Sequence, residues 1–145
     1  MGDAPHPNMA KVQEVWDAVA RGELGDPDLF TDDIVFENGP GAGPWRVIKG
    51  KDAYITFVTQ FIPFFKGTWH QDGRCIYADD RCTISIVHET GTGPQGNAFD
   101  NMAVWITRIA AGDKIDRIWT VDLDQESVTD FWNRNDAALT ESMAH

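Results

Sequence analysis

Few side chains in this sequence could carry a proton, and His88 is the first candidate. The run "RCTISIVHE" alternates, so His88 shares one strand face with Cys82, Ile84 and Ile86. A histidine that extends an apolar face can be a general acid or base that works near neutral pH. It can equally be a core histidine with a satisfied hydrogen bond, and the residues alone leave both interpretations open.

The stretch "DLFTDDIVFENGP" offers either a carboxylate or an amide to the interior. Strand alternation places Ile34, Phe36 and Asn38 on one face, with Val35 and Glu37 on the other. We therefore expect Asn38 to face a cavity and Glu37 to be a solvated surface acid. An amide cannot act as a general base at neutral pH, but it can orient a water or bind a carbonyl.

Two later alternating runs carry further polar groups. In "FDNMAVWITRI", Asn101 and Trp105 share one face, and in the last run Asp122 shares a face with Thr120. The register of the last run is open by a residue, so Asp124 remains an alternative acid. A histidine beside a carboxylate is the simplest acid/base pair, because the carboxylate raises the imidazole pKa and fixes its tautomer.

The elements that must position these groups follow from hydrophobic periodicity. Apolar residues at helical spacing predict an amphipathic helix over roughly residues 7–21 and a long second helix that carries the stripe from Tyr54 to Phe65, which Pro63 should kink or end. From Gly67 onward the period changes to two, which predicts four antiparallel strands separated by short turns. The second helix carries the strongest stripe, which comprises Tyr54, Phe57, Val58, Phe61, Ile62 and Phe65.

This order of elements resembles the nuclear transport factor 2-like superfamily, which includes SnoaL-like cyclases, ketosteroid isomerases and limonene-epoxide hydrolases. The phrases "LFTDDIVFENGP", "VIKGKDAYITFV" and "GDKIDRIWTVDLD" are similar to its first strand, its lead-in to the long helix, and its closing turn with the last strand. The likeness covers about residues 9–132. It implies an α+β fold in which a cone-shaped, curved antiparallel sheet wraps around a long helix.

The resemblance also implies which groups face the pocket. The pocket position at the end of the first strand is Asp in ketosteroid isomerases and Asn in limonene-epoxide hydrolases, and it falls on Asn38 here. Asn101 and Trp105 are placed inward by likeness to the closing turn, and Asp122 resembles the acid near the end of this strand in SnoaL-like proteins. The Arg of the epoxide-hydrolase triad has no counterpart, because the corresponding strand offers Ile86 and His88.

These inferences define an expected site in a mostly apolar, aromatic cavity. We expect His88 and Asp122 to form the catalytic pair. The expected substrate-binding residues are Trp16, Phe36, Asn38, Phe57, Phe61, Ile86, Asn101 and Trp105. No metal site and no cofactor are expected, since the sequence has no phosphate loop, nucleophile motif or metal triad.

Charge and composition limit the partners. The chain has 145 residues with 12 basic and 23 acidic side chains, a formal charge of −11, which disfavours nucleic acid and anionic membranes. We expect residues 1–132 to form one SnoaL-like domain and 133–145 a polar C-terminal tail. The start "MGDAPHPNMA" lacks a signal-peptide pattern, and Cys75 and Cys82 form no metal-binding spacing, so a cytoplasmic protein with free thiols is expected.

The expected function is a cofactor-free enzyme that uses acid/base chemistry on a hydrophobic, ring-bearing substrate, as an isomerase, cyclase or hydratase/lyase. The alternatives are a non-catalytic module that binds or scaffolds a small ligand, and an epoxide-hydrolase-like enzyme with an altered triad. A homodimer is expected as well, packed sheet to sheet, because the second strand face is too apolar to leave in water. The segment "QESVTDFW" folding back over that face is the other possible cover.

Overall fold

The structure is a computed structural model that describes residues 5–39, 42 and 45–135. The last ten residues of the predicted polar tail, 136–145, lie outside the described residues. In chain order the elements are α1 (Pro7–Ala20), a 3₁₀ turn (Pro27–Leu29), β1 (Phe30–Glu37), β2 (Val47–Lys49), α2 (Lys51–Phe64), β3 (His70–Ala78), β4 (Cys82–Thr92), β5 (Ala98–Ile109), β6 (Ile115–Asp122) and α3 (Gln125–Arg134).

Both predicted helices are present. Helix α1 begins where the His6 ring accepts a hydrogen bond from the Asn8 backbone N–H at 3.2 Å, and it buries Val12, Val15 and Trp16. Helix α2 ends one residue after Pro63. This end is expected because the proline ring clashes with the preceding turn. No helix in the described part of the chain is long and apolar enough to cross a membrane.

The strands form one curved, unclosed sheet of six strands among the described residues, in the order β2-β1-β6-β5-β4-β3. The predicted α+β fold with a cone-shaped, curved sheet is confirmed. The sheet is mixed rather than wholly antiparallel, because β1 pairs parallel with β6. The three-residue strand β2 was not predicted, since its segment is rich in glycine and proline.

The faces of β4 are the reverse of those predicted. Thr83, Ser85 and Glu89 are buried on the inner face, whereas Ile86 and His88 lie on the outer face. The reason is that α1 packs across β3 and β4, where small side chains make room for the helix. The Trp16 indole N–H, for example, donates to the Ser85 hydroxyl at 2.9 Å.

Helix α3 covers the inner side of the sheet. It buries Val128, Phe131 and Trp132, and its Phe131 ring lies 4.9 Å from that of Phe99 on β5. The possible cover of the outer face by "QESVTDFW" is therefore wrong, because this amphipathic segment adds its apolar side to the aromatic core.

Candidate active site

A narrow cavity lies between the inner face of the sheet, α2 and α3. Its enclosed volume is about 50 Å³. The volume is about 640 Å³ when the open space at its mouth is included. The space therefore suits a small molecule. Its described lining comprises Val19, Phe36, Asn38, Ala42, Trp45, Tyr54, Phe57, Val58, Phe61, Ile62, Trp69, Gln71, Glu89, Phe99, Asn101, Trp105, Val128 and Trp132.

A row of polar side chains crosses the inner face on neighbouring strands. Gln71 on β3 pairs with Glu89 on β4, and Glu89 pairs with Asn101 on β5. The Asn101 amide nitrogen lies 3.3 Å from Glu89 Oε1 and 2.9 Å from Asp122 Oδ1 on β6. One amide group thus donates to two carboxyl groups and holds them close together.

The two carboxyl groups differ in their protonation. Burial and, second, the nearby Asp122 charge together raise the pKa of Glu89 to about 8, against the lowering effect of the Asn101 hydrogen bond. Burial also raises the pKa of Asp122, which is the less buried of the pair. Near neutral pH, Glu89 is therefore mostly a neutral acid, while Asp122 is the group that ionises first. Two carboxyl groups whose pKa values differ in this way can serve as a general acid and a general base.

The end of β1 packs directly against this acid pair. A Cβ atom placed on Gly39 would lie 2.5 Å from Asp122 Oδ2, so no side chain fits there without displacing the carboxylate. Gly39, the fourth residue of "FENGP", therefore allows the chain just after β1 to lie close to the Asp122 carboxylate.

Several buried polar atoms of the lining residues have no hydrogen-bond partner within the described part of the chain. Gln71 has neither its amide oxygen nor its amide nitrogen bonded, and the Asn101 oxygen and the indole N–H groups of Trp45, Trp69 and Trp105 are also unpaired. Each unpaired buried group costs about 1–3 kcal/mol, and native proteins leave few of them. Their concentration in one cavity indicates a place where a polar ligand or ordered water supplies the missing partners.

Asn38 lines the cavity, as predicted, but its amide is already engaged. Its nitrogen donates to the Trp45 carbonyl at 2.7 Å, and its oxygen accepts from the Thr120 hydroxyl at 3.3 Å. Glu37 faces the outer side, as predicted. It is not merely solvated, however, since its Oε2 lies 2.6 Å from Arg117 Nη2 and that contact lowers its pKa.

Asn38→Leu should therefore act mainly through stability. The loss of both amide contacts should lower the free energy of unfolding by about 1–3 kcal/mol, measured by urea denaturation. Glu37→Gln, which retains an oxygen facing Arg117, is the control and should change stability less. A larger loss for Glu37→Gln than for Asn38→Leu would contradict the assignment of faces on β1.

The structure brings together most of the predicted binding residues. Those that line the cavity are Phe36, Asn38, Phe57, Phe61, Asn101 and Trp105. Trp16 lies behind this wall, with its ring edge-on to Trp105 at 4.8 Å. Ile86 lies on the outer face, so its predicted place in the pocket is wrong.

The predicted contact between His88 and Asp122 is also wrong. His88 is on the outer face, its side chain is 42% exposed, and its Nε2 lies 2.8 Å from Asp100 Oδ1. Asp122 faces the inner side, whereas Asp124 is exposed and caps α3 by accepting from the Ser127 N–H at 3.0 Å. The inner acid beside Asp122 is Glu89, which lies on the face of β4 opposite to His88, the face predicted to point away from the cavity.

Neither a metal centre nor an epoxide-hydrolase triad is assembled by the described residues. They contain no cluster of three or more His, Cys, Asp or Glu side chains able to hold an ion. The described lining residues also include no arginine, so the Arg between two acids has no equivalent around this cavity. Carboxyl groups are the titratable acids and bases available beside the polar row.

Comparisons with known proteins agree with this architecture. The SnoaL-like domain family matches residues 12–118. Bal32a, from a soil-derived mobile gene cassette, is 17% identical over 86% of this chain and 95% of its own, with a TM-score of 0.76. A protein assigned as a SnoaL-like polyketide cyclase, from Jannaschia Sp. CCS1, is 13% identical over 88% of this chain and 98% of its own, with a TM-score of 0.64.

A third solved structure shows the same fold. A protein with a cystatin-like fold from Xanthomonas campestris is 16% identical over 89% of this chain and 98% of its own, with a TM-score of 0.68. A search of curated proteins found no match to the sequence. At these identities the structural likeness establishes the fold and leaves the reaction to be argued from the cavity.

Proposed function

The chain belongs to the SnoaL-like domain family, a fold of small-molecule enzymes and binding proteins, and we propose that it is an acid/base enzyme acting on a ring-bearing carbonyl compound. The observation that carries the proposal is the bridge from the Asn101 amide to Glu89 and Asp122. Near neutral pH the bridge holds Glu89, which is mostly neutral, beside Asp122, which ionises first.

The proposed reaction is proton transfer next to a carbonyl group. Asp122 removes a proton from the carbon beside the carbonyl, and the electrons of that C–H bond form the carbon–carbon double bond of an enol. Glu89 donates its proton to the carbonyl oxygen, so no free enolate charge develops in the apolar cavity. Where a C=C bond adjoins the deprotonated carbon, the enol is a dienol. Transfer of the proton from Asp122 to its far carbon, with return of the enol O–H proton to Glu89, then gives isomerisation. Attack of the enol carbon on a second carbonyl gives cyclisation, with the new alkoxide oxygen taking the proton from Asp122 and the enol O–H proton returning to Glu89.

Exchange of C–H hydrogens with solvent tests this proposal without knowledge of the natural substrate. 2-Tetralone is flat, bicyclic and uncharged, and its CH₂ groups beside the ketone exchange measurably in D₂O by proton NMR. The wild-type protein should accelerate exchange above the buffer rate, and Glu89→Gln with Asp122→Asn should abolish the acceleration. A wild-type rate no higher than that of the double variant would oppose proton abstraction from a ring ketone.

The second candidate function is ligand binding without catalysis. It is favoured by the three unpaired indole N–H groups, which can donate hydrogen bonds but do not titrate. Under this alternative, Glu89 and Asp122 form a structural pair held by Asn101. Saturable binding of 2-tetralone with an unchanged exchange rate would favour this candidate.

A homodimer is proposed for the outer face. Val121 and Leu123 are 52% and 64% exposed there, beside partly exposed Met102, and such a patch is unusual for a monomer. The sequence-based argument for sheet-to-sheet packing gains support from the position of α3, which covers the inner side instead. The partner is thus a second copy of this chain.

Val121→Asp should convert this dimer to a monomer, because a carboxylate would be buried against apolar side chains without a partner. Sedimentation velocity at micromolar concentration should show the wild type near twice the chain mass and the variant near one chain mass. Ala53→Asp, which adds the same charge on the exposed side of α2, should leave the dimer intact. A monomeric wild type would refute the dimer.

A further inference from the structure

Gln71 is the most completely unpaired polar side chain around the cavity. It is 3% exposed, and neither its amide nitrogen nor its amide oxygen has a hydrogen-bond partner among the residues that the structure describes. A carboxamide with both functions free is available to a ligand group that offers one donor and one acceptor.

The position of Gln71 links it to the acid pair. It is the direct cross-strand partner of Glu89, so their Cβ atoms are roughly 5 Å apart on the same face. No hydrogen bond joins the two side chains among the described residues, although they are neighbours. A ligand whose reactive part reaches Glu89 would therefore place an adjoining group within reach of the Gln71 amide.

The cavity also selects against charge. No lysine or arginine occurs among its described lining residues, which include Glu89. The Asp122 carboxyl is not itself among the lining residues, but it is bonded to the lining residue Asn101. An anionic ligand would find no cationic side chain among the described lining residues and would be repelled by the nearby Asp122 carboxylate in a poorly solvated space. The cavity walls are largely aromatic and include Phe57 and Trp45, whose rings pack edge to face at 5.0 Å, and such walls suit a ring-bearing ligand.

We propose that Gln71 determines ligand specificity, by pairing with an uncharged planar ring that carries a carbonyl oxygen and a neighbouring N–H or O–H on the same edge. The two groups meet the carboxamide through two parallel hydrogen bonds. This inference rests on the proposed function for the location of the site, but it concerns recognition rather than proton transfer.

The test uses three bicyclic probes that differ in these groups. 2-Quinolone carries a C=O and an N–H on one edge, N-methyl-2-quinolone lacks the donor, and quinaldate carries a negative charge. Isothermal titration calorimetry with the wild-type chain should show 2-quinolone binding at least about 10-fold more tightly than its N-methyl form, the value of one hydrogen bond. Quinaldate should not bind.

Gln71→Leu should remove this discrimination, so that 2-quinolone and its N-methyl form bind within about 2-fold of each other. The substitution removes an unpaired buried amide, so the variant should melt no lower than the wild type, and Gln71→Met provides a second apolar replacement. Gln95→Leu, in the exposed turn between β4 and β5, is the control and should retain the wild-type preference.

Three results would overturn the inference. These are equal binding of the two quinolones by the wild type, no binding of either, and preserved discrimination in both Gln71 variants. The outcome is separable from the proposed function, because 2-tetralone exchange depends on Glu89 and Asp122. Exchange without quinolone discrimination would leave the proton-transfer proposal standing while removing Gln71 as the specificity residue.

Discussion

Glu89→Gln should make the protein markedly more stable than the wild type at alkaline pH. The Glu89 carboxyl is buried on the inner sheet face and its pKa is raised to about 8, from an ordinary value of 4.5. Ionising it inside the fold is therefore costly. A neutral glutamine has nearly the same shape and can still accept the hydrogen bond from Asn101.

The direction of the pH effect follows from proton binding. Between pH 4.5 and about 8 the folded state retains the Glu89 proton while the unfolded state has released it, so stability falls as pH rises through this window. The contribution of Glu89 to the free energy of unfolding is fully present below its pKa in the unfolded state. It is lost once the pH exceeds its pKa in the folded state. The complete loss is on the order of 5 kcal/mol.

Thermal melts of both proteins from pH 5 to pH 9 measure this effect. The two should melt at similar temperatures at pH 5, and the variant should melt about 10 °C or more above the wild type at pH 9. Glu14→Gln, on the exposed side of α1, is the matched control and should follow the wild-type profile. Parallel profiles for Glu89→Gln and the wild type would show that Glu89 is already ionised in the fold.

The fold could be predicted from the sequence because its elements have clear periods. The α2 stripe from Tyr54 to Phe65 and the alternation of β3 to β6 each match one secondary structure closely, and the structure confirms them. Strand β2 could not be predicted in this way, because three residues after a Gly/Pro-rich segment carry no period. The parallel pairing of β1 with β6 joins distant parts of the chain, which local patterns do not report.

The facing of β4 shows a limit of hydrophobic patterning. Its more apolar side, with Ile84 and Ile86, was assigned to the core. The structure instead buries Thr83 and Ser85, because α1 needs small side chains beneath Trp16. When both faces of a strand are covered, the more apolar one can face a partner subunit, so hydrophobicity alone does not identify the interior.

Glu89 was missed for that reason, although a signal for it exists. The turn at "GTGPQGN" is closed by the Gly93 N–H donating to the Asn97 carbonyl at 2.8 Å, and counting outward from it pairs Glu89 with Asn101. Directly paired residues share a face. Since Asn101 was placed inward, the turn register already required Glu89 to be inward. The raised pKa of Glu89 depends on its burial and on the Asp122 charge, so it could be inferred only from the structure.

Asp122→Asn should shift the titration of Glu89 and remove catalysis together. The Asp122 charge is the second cause of the raised Glu89 pKa, after burial, so its removal should lower that pKa below about 8. The asparagine can still accept the hydrogen bond from Asn101, which preserves the local geometry. It cannot accept a substrate proton, so exchange of 2-tetralone hydrogens should fall at least about 100-fold.

Carbon NMR of protein labelled at the glutamate carboxyl carbons measures the first effect, because the Glu89 resonance reports its own midpoint. Asp124→Asn is the matched control: that residue is two positions later, exposed, and able to cap α3 as an asparagine through the Ser127 N–H. The control should change neither the midpoint nor the exchange rate. An unchanged Glu89 midpoint in Asp122→Asn would show that the two carboxyls do not sense each other's charge. Loss of exchange in Asp124→Asn alone would transfer the role of base to Asp124.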